Sequence, residues 1–325
     1  MLSIDALKLP PTLPHPKAIS SWKQTKAEYE PDCWEFQYDL YRYLELLSDD
    51  ALVQRYSEIV RNMHAIVSAE RDVIPINSFL SSWYWFRKEH QTRYEFALRN
   101  LPFHTPLPVI APRGLTAAPA RPRSPNAGDV LFRYGEHKWL QGLIDFGRLR
   151  MRSAGDYALM EKDPARQDDE QTKHSYSPGR HVTITFPDGK KLHPIGDVKQ
   201  SVSGTDYFLY CVSMDWDTML FEQFSDSDCC VIIKRPEEFA RRLERAAASK
   251  LPGWYFYNGP IEYFDPYEQV TRQRIDNAMS KDFRFAYQRE HRFLLAGLGK
   301  AATGYIDLEI GPLHDIAELH MRPAA

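Results

Sequence analysis

A proline-rich segment divides the chain into two parts of different character. Seven prolines fall between residues 102 and 125, together with three arginines. Because proline lacks a backbone N–H and fixes φ at about −65°, such a segment forms neither a helix interior nor a central strand. It is typical of an extended linker. The sequence therefore predicts a domain over residues 1–101, a linker over 102–128 and a second domain over 129–325.

The first domain is predicted to be helical. Apolar residues recur with helical spacing within residues 32–47 and again within 49–69, as on one face of an amphipathic helix. A third helix is expected from Asn77 onward. It carries an aromatic stripe that either packs in a core or forms the surface for a protein partner. The residues of this stripe are Trp83, Trp85 and Phe86.

Beyond residue 129 the pattern changes to short strands with a few helices. A strand over 130–134 is followed by a helix over 137–146, which ends near Gly147, a residue suited to a left-handed cap. A further helix begins at Pro236. Residues 155–180 are predicted to be irregular. The remaining predicted strands are 149–151, 181–186, 207–212, 229–233, 252–264, 283–295 and 305–310. Strands with a few short helices indicate an α+β fold, here with a mixed sheet.

Composition narrows the functional classes. Hydrophobic residues make up 43% of the chain, enough for a sizeable core. With 41 basic and 44 acidic residues, the net charge of −3 gives no overall electrostatic footprint for nucleic acid. The four cysteines include an adjacent pair and no Cys-x-x-Cys motif, which favours a reducing compartment. No signal peptide and no membrane-length apolar run is recognised, so a cytoplasmic location is predicted.

The triplet Gln288-Arg289-Glu290 is the main candidate for chemistry. It lies between an aromatic run and an apolar run within the predicted strand 283–295, which indicates a polar catalytic edge on a buried strand. The chain has no dinucleotide-binding glycine fingerprint and no phosphate-binding loop of the nucleotide triphosphatases. Those absences disfavour an ordinary dinucleotide-binding fold and an NTPase.

The segment around the first predicted strand resembles a known superfamily. The run Leu131-Phe132-Arg133-Tyr134 leads into a helix, a glycine and a second strand, and this order is similar to the opening of ADP-ribosyltransferases such as the DarT-like and RNA 2′-phosphotransferase-like enzymes. In that superfamily an Arg or His on the first strand binds NAD. A Ser, Thr or aromatic residue follows on a middle strand, and a late Glu is often preceded two residues earlier by Gln or Glu.

Three positions of this chain fall in the same order. They are Arg133, Ser213 and the Gln288-x-Glu290 pair, and the resemblance covers roughly residues 129–310. The C-terminal Tyr-Gln-x-Glu-x-Arg-Phe motif is also similar to one in uncharacterised bacterial proteins. The fold implied by the resemblance is a helical N-terminal domain followed by an ADP-ribosyltransferase-like domain.

The resemblance assigns a role to each position. Cleavage of the nicotinamide–ribose bond passes through an oxocarbenium-like state, which the carboxylate of Glu290 would stabilise from the ribose 2′-OH. Gln288 would orient the acceptor, and Arg133 would clamp the pyrophosphate of NAD. Ser213 would bond near the ribose or hold Glu290.

Two aromatic residues complete the set implied by the resemblance. Tyr134 or Tyr210 would stack on nicotinamide. NAD is then a substrate, no metal is expected, and the product is an ADP-ribosylated protein or nucleic acid, or free ADP-ribose. A bacterial toxin or phage-defence effector would suit this activity. The N-terminal helices would gate the site or bind a partner.

Alternatives remain open at this point. Arg133 beside Glu136 is also consistent with a surface ion pair, and Glu290 with Arg292 with a pair on a solvated face. Ser213 is also consistent with an ordinary buried hydroxyl. If these three residues have only such structural roles, the chain would be a non-catalytic interaction protein with the same fold. A metal-dependent nuclease requires the acidic cluster of residues 168–170 to converge with Glu262 or Asp265.

Overall fold

The computed structural model describes most of the chain as two compact units. The described residues are 31–66, 82–102, 130–160, 169–204, 207–268, 276–297, 299 and 301–323. The helical unit contains residues 31–102 together with 174–200 and 265–268, as far as these are described, and the sheet unit contains the rest. Most of the predicted linker, as well as Asn77 and Asp168, lies outside the described residues. Among the described residues, no helix is both long enough and apolar enough to cross a membrane.

The helical unit confirms the predicted N-terminal helices. The helices are α1 (Pro31–Tyr41), α2 (Asp49–Ile66) and α3 (Ser82–Leu98). The first predicted helix ends early because Arg42 takes a left-handed conformation with φ of 32°, and a 3-10 helix, Tyr43–Leu46, follows it. Trp85 and Phe86 are buried. They belong to the core of this unit, while the side chain of Trp83 lies outside the described part of the structure, so a protein partner on the N-terminal helices stays a prediction.

The sheet unit is built on antiparallel pairing. The α-helices in the described part of this unit are α4 (His137–Phe146), α5 (Ala154–Met160), α6 (Thr218–Gln223) and α7 (Pro236–Lys250). The strands of the main sheet are β1 (Leu131–Gly135), β2 (Arg148–Ser153), β7 (Tyr207–Ser213), β8 (Cys229–Ile233), β9 (Tyr255–Pro260), β12 (Glu290–Ala296), β13 (Tyr305–Glu309) and β14 (Ala317–Met321). The α+β class is therefore confirmed. The prediction of a mixed sheet is wrong for the main sheet, since each of its pairings is antiparallel.

Short strands complete the described architecture. These are β3 (Thr172–Ser177), β4 (Ile184–Thr185), β5 (Lys191–Leu192), β6 (Val198–Ser203), β10 (Glu262–Phe264) and β11 (Ser280–Asp282). The hairpin of β4 and β5 turns at Gly189, as predicted. In the sheet unit β10 and β11 pair in parallel.

The main sheet forks at β7. Along one edge β7 pairs with β12 over its whole length. Along the other edge its first half pairs with β2, at Phe208 and Leu209, and its last residue, Ser213, pairs with β1. Among the described strands, none pairs with residues 210–212 on that edge. Because β1 and β2 diverge there, the sheet has a gap.

The principal hydrophobic core lies on one face of this sheet. Helices α4 and α7 supply apolar side chains that pack on β1, β7 and β8. A smaller cluster lies on the opposite face, beside α5. The alternation of the strands places neighbouring residues on opposite faces, so β7 is buried on both sides, as its apolar sequence predicted.

Two sequence predictions fail in this unit. Residues 155–180 are not all irregular, since α5 and β3 lie within them. Residues 283–288 form a 3-10 helix rather than the first half of a strand. The aromatic residues of that turn are buried by tertiary packing, and burial outweighs their intrinsic preference for strands.

The end of α4 gives a test of the fold. Gly147 has φ of 69° and closes the helix, as predicted, and a Cβ there would lie 2.0 Å from the carbonyl oxygen of Gly311. We expect Gly147→Ala to reduce the free energy of unfolding by more than about 3 kcal/mol. Gly142→Ala is the matched control, because a Cβ there meets no atom within 4 Å. It should be neutral or stabilise the protein by up to about 1 kcal/mol. Urea unfolding measures both; equal effects would contradict the described cap.

Candidate functional site

A cleft opens in the sheet unit beside the fork at β7. Its volume is about 890 Å³, within the range of about 300–1,000 Å³ that is usual for ligand sites. Residues of β1, β2, β7 and β12 line it. All six predicted site residues are among them: Arg133, Tyr134, Tyr210, Ser213, Gln288 and Glu290. The structure therefore brings together residues that are far apart in the chain.

Backbone geometry presents Glu290 to this cleft. The 3-10 helix Phe283–Gln288 ends at Arg289, which takes a left-handed conformation with φ of 46°. Glu290 then starts β12 directly opposite Ser213 of β7. The backbone N–H of Glu290 donates to the hydroxyl of Tyr263, 2.8 Å away. The carboxylate is therefore held at the first residue of a strand whose register is fixed on both sides.

Two cations hold the carboxylate of Glu290. Nζ of Lys281 donates to Oε2 at 2.8 Å, and Nε of Arg292 donates to Oε1 at 2.5 Å. All three residues are buried, with Glu290 only 5% exposed. The alternative of a pair on a solvated face is therefore wrong, because Glu290 and Arg292 lie two residues apart on the same buried face of β12.

The neighbouring cations also decide the charge of Glu290. Burial alone would raise the pKa of this carboxyl group. The positive charges of Arg292 and Lys281 outweigh burial and hold the pKa of Glu290 well below its ordinary value. Glu290 is consequently an anion at neutral pH.

Arg292 links Glu290 to a second carboxylate. Its Nη2 donates to Oε1 of Glu170 at 2.7 Å, and its Nη1 donates to the carbonyl of Ala278 at 2.8 Å. Lys173 lies 3.8 Å from the other oxygen of Glu170. The ion pairs of Glu170, Arg292, Glu290 and Lys281 form one buried chain, which we call the ion network.

Gln288 reaches this network through Lys281. Nζ of Lys281 donates to Oε1 of Gln288 at 3.1 Å. The amide Nε2 donates to the hydroxyl of Tyr287 at 3.3 Å. Gln288 and Glu290 thus share one lysine.

Ser213 is engaged by the backbone. Its Oγ lies 2.8 Å from the carbonyl oxygen of Gln288 and accepts from the N–H of Asp215 at 3.1 Å. Although Ser213 is opposite Glu290 in the ladder, its hydroxyl holds the turn that precedes Glu290 rather than the carboxylate. Of the two roles predicted for Ser213, holding Glu290 is achieved through this turn and not by a direct bond. A bond near the ribose stays a prediction.

Arg133 enters the cleft from the other face of the sheet. Phe132 pairs with Ser213 and therefore shares a face with Glu290, which places Arg133 on the opposite face. Nη1 of Arg133 donates to the carbonyl of Cys211 at 2.8 Å, across the gap beside β7. Its guanidinium carbon lies 4.8 Å from the ring centroid of Tyr210, a cation–π contact.

The predicted ion pair between Arg133 and Glu136 is not formed. Glu136 instead pairs with Lys138 and accepts from the indole of Trp139. Among the described residues, no carboxylate lies within ion-pair distance of Arg133. The charge of Asp226, which also lines the cleft, acts on the guanidinium from farther away, so its positive charge is only partly compensated.

The two predicted aromatic residues, Tyr134 and Tyr210, pack mainly against other protein groups. Tyr134 accepts from the N–H of Asp217 at 2.8 Å and contacts Phe221 edge to face. Tyr210 packs between Arg133 and Phe239. Each is only 4% exposed, so little of either side chain is accessible. Their stacking on nicotinamide stays a prediction.

Tyr157 is one of several aromatic residues that line the cleft without having been predicted. It belongs to α5 and is half-buried, beside Leu209 and Leu294 of the smaller core cluster. Its segment was predicted to be irregular, and a lone tyrosine there carried no signal. Its ring is more accessible than those of Tyr134 and Tyr210.

The ion network was also largely missed. Arg292 was considered only as a partner of Glu290, although the alternation of a strand places residues 290 and 292 on the same face. Lys281 lies in a segment with no recognisable motif, and Glu170 was predicted only as part of the acidic cluster of residues 168–170. Their meeting depends on the fold, and no local pattern predicted it.

The described part of the acidic cluster is engaged in hydrogen bonds and an ion pair, and Asp168 lies outside the described residues. The alternative of a metal-dependent nuclease stays a prediction. Oδ1 of Asp169 accepts from the N–H groups of Gln171 and Thr172, as in a turn. Glu170 bonds to Arg292. In the helical unit, the carboxylate of Asp265 is taken by Arg55 and Lys88. Among the described residues, no cluster of three or more His, Cys, Asp or Glu side chains is arranged for a metal ion.

Comparisons with known proteins add no assignment. No family model matches the chain, and neither the curated proteins nor the solved structures include a significant match. The site is therefore interpreted from its own geometry.

The ion network predicts a large stability difference between two arginines. Arg292→Met leaves two buried carboxylates without their shared guanidinium, and we expect a loss of about 3–5 kcal/mol in the free energy of unfolding. Arg150→Met removes an exposed pair with Asp307, held by two hydrogen bonds of 2.7 and 3.0 Å. That loss should stay below about 1 kcal/mol. Urea unfolding of both variants measures the difference. Similar values would show that the described network does not stabilise the fold.

His291 predicts the pH dependence of stability. Burial lowers its pKa to about 4, and its Nε2 has no hydrogen-bond partner among the described residues. In the unfolded chain the imidazole of His291 takes up its proton near pH 6.5. The neutral imidazole therefore contributes its full share of the free energy of unfolding above about pH 6.5, and this share decreases as the pH falls toward 4. We expect His291→Asn to lose about 2 kcal/mol less stability than wild type between about pH 7 and about pH 5. Urea unfolding at both values tests this; parallel losses would contradict a buried neutral imidazole.

Proposed function

We propose that the cleft binds NAD and cleaves its nicotinamide–ribose bond, passing ADP-ribose to a macromolecular acceptor or to water. The observation that carries the proposal is the position of Glu290. It is a buried carboxylate, ionised at neutral pH, in the same cleft as Arg133, which has no carboxylate within ion-pair distance among the described residues. A fixed anion and a fixed cation in one cleft suit a substrate that carries a pyrophosphate and develops positive charge when it reacts.

Glu290 would act on the ribose. Its two oxygens each accept one hydrogen bond from a cation, and a carboxylate has about four lone-pair sites. One free site would accept the 2′-OH of the nicotinamide ribose. The negative charge would stabilise the oxocarbenium character that develops as nicotinamide leaves, as carboxylates do in glycoside hydrolysis.

Arg133 would bind the pyrophosphate. One of its terminal nitrogens donates to the Cys211 carbonyl, and a guanidinium has five N–H donors in a planar fork. The remaining donors suit the oxygens of a phosphate group. The bond to Cys211 and the contact with the Tyr210 ring would keep the fork in place before the ligand arrives.

The remaining residues would complete the substrate site. Gln288, held by Lys281, would orient the acceptor. Tyr157 offers a half-buried ring for the nicotinamide, alongside Tyr134 and Tyr210. Aromatic faces are suited to such a planar ring.

The order of Arg133, Ser213 and Glu290 in the chain supports placing residues 129–325 in the ADP-ribosyltransferase-like superfamily. A helical N-terminal domain would then precede the catalytic one. A role as a bacterial toxin or phage-defence effector follows from this placement and has no other support. The acceptor, protein or nucleic acid, is left open.

The experiment combines NAD titration calorimetry with an assay of nicotinamide release. Wild type should bind NAD and release nicotinamide. Glu290→Gln should keep binding NAD, with nicotinamide release reduced about 100-fold or more, because the developing charge is no longer stabilised.

Glu170→Gln is the matched control. It removes the other carboxylate from Arg292 and disturbs the same ion network without touching Glu290. Its nicotinamide release should stay within about tenfold of wild type. Failure of wild type to bind NAD would refute the proposed function. Equal losses in Glu170→Gln and Glu290→Gln would show that Glu290 is structural, as in a non-catalytic protein.

A further inference from the structure

Lys281 is a buried cation to which the proposed reaction has so far assigned no chemical role. It lies in β11 and pairs with Tyr263 of β10 in a parallel ladder. Its side chain is 4% exposed. Burying an ammonium group is costly unless it is paired and hydrogen-bonded. The groups that bind the Lys281 ammonium therefore indicate its role.

Those partners are the two residues assigned to chemistry. Nζ of Lys281 donates to Oε2 of Glu290 at 2.8 Å and to Oε1 of Gln288 at 3.1 Å. Tyr263, its neighbour in the ladder, accepts the N–H of Glu290. One cross-strand pair therefore holds Glu290 by its main chain and by its side chain.

The lysine also fixes the orientation of the Gln288 amide. An ammonium group has three donors and no acceptor, so only the oxygen of the amide can face it. The Nε2 end then points away and donates to the Tyr287 hydroxyl. A side chain without donors at position 281 would allow either orientation of the amide.

We propose that Lys281 is a positioning residue for the proposed reaction, which orients the Glu290 carboxylate and the Gln288 amide and keeps Glu290 in its anionic form. The proposal rests on the proposed function. Lys281 need not touch NAD in this role; it acts through the two residues to which it donates hydrogen bonds.

The charges around Glu290 determine what removal of Lys281 does. Arg292 is the second cation on Glu290 and is shared with Glu170, which Lys173 also approaches. Among the described residues, the other titratable groups near Glu290 are Tyr263 of β10, Cys211 of β7, Tyr157 of α5 and its chain neighbour His291. Without Lys281, one guanidinium serves two buried carboxylates. Glu290 then takes up a proton at higher pH, because a nearby positive charge is lost.

The test is the pH profile of nicotinamide release by Lys281→Met. We expect kcat to fall about 10- to 100-fold with KM for NAD within about threefold. The acidic limb of the profile should move up by about one pH unit or more. Lys281→Arg should restore part of kcat and return the acidic limb toward that of wild type, since it restores the charge.

Lys173→Met is the matched control. Lys173 is also a buried lysine of this region, but it approaches Glu170 and not Glu290. Its acidic limb should coincide with that of wild type. The proposal is overturned if Lys281→Met keeps the wild-type pH profile, or if the substitution raises KM for NAD and leaves kcat unchanged. It is also overturned if Lys173→Met shifts the acidic limb of the profile as far as Lys281→Met does.

A second measurement tests the role of Lys281 independently of the proposed function. It can also be made if Lys281→Met does not fold. NMR titration of ¹³C-carboxyl-labelled glutamate follows Glu290 without NAD, and Lys281→Arg replaces Lys281→Met if the latter does not fold. An inactive wild type refutes the proposed function. A Glu290 titration that is the same in wild type and in the folded variant at position 281 refutes the role of Lys281.

Discussion

The site depends on one buried carboxylate shared by two cations. Glu290 is held at 2.8 Å by Lys281 and at 2.5 Å by Arg292, and a buried carboxylate without such partners would be neutral. Replacing a buried ion pair by apolar residues of similar volume is often neutral or stabilising, so stability alone does not account for these charges. The network preserves an anion at the wall of a cleft, and this property is useful in a reaction that develops positive charge.

The cleft exists because the main sheet forks. β7 pairs with β2 at one end and with β1 at the other, and the gap between them exposes the carbonyl of Cys211, to which Arg133 donates. Arg133 and Glu290 start from opposite faces of the sheet, yet both line the cleft. A continuous sheet would separate these two side chains. The fork therefore brings a cation and an anion to one cleft.

Sequence patterns predicted the elements better than the contacts. Helix α4, its cap at Gly147 and the buried strand β7 follow from local rules that need only neighbouring residues. The order of Arg133, Ser213 and Glu290 predicted one site, and the three residues line the same cleft. Their partners were not predictable, because Lys281 and Glu170 reach Glu290 and Arg292 only through strand pairing and loops far apart in the chain. For the same reason, no sequence pattern predicted that residues 174–200 belong to the helical unit.

The central claim is that Glu290 acts on the ribose of NAD. The most direct measurement is a crystal structure with carba-NAD, an analogue in which a methylene group replaces the ring oxygen of the nicotinamide ribose and prevents cleavage. The account predicts the 2′-OH of that ribose within about 3.2 Å of a Glu290 oxygen and the pyrophosphate against Arg133. An analogue bound elsewhere, or a cleft that stays empty at saturating ligand, would contradict it.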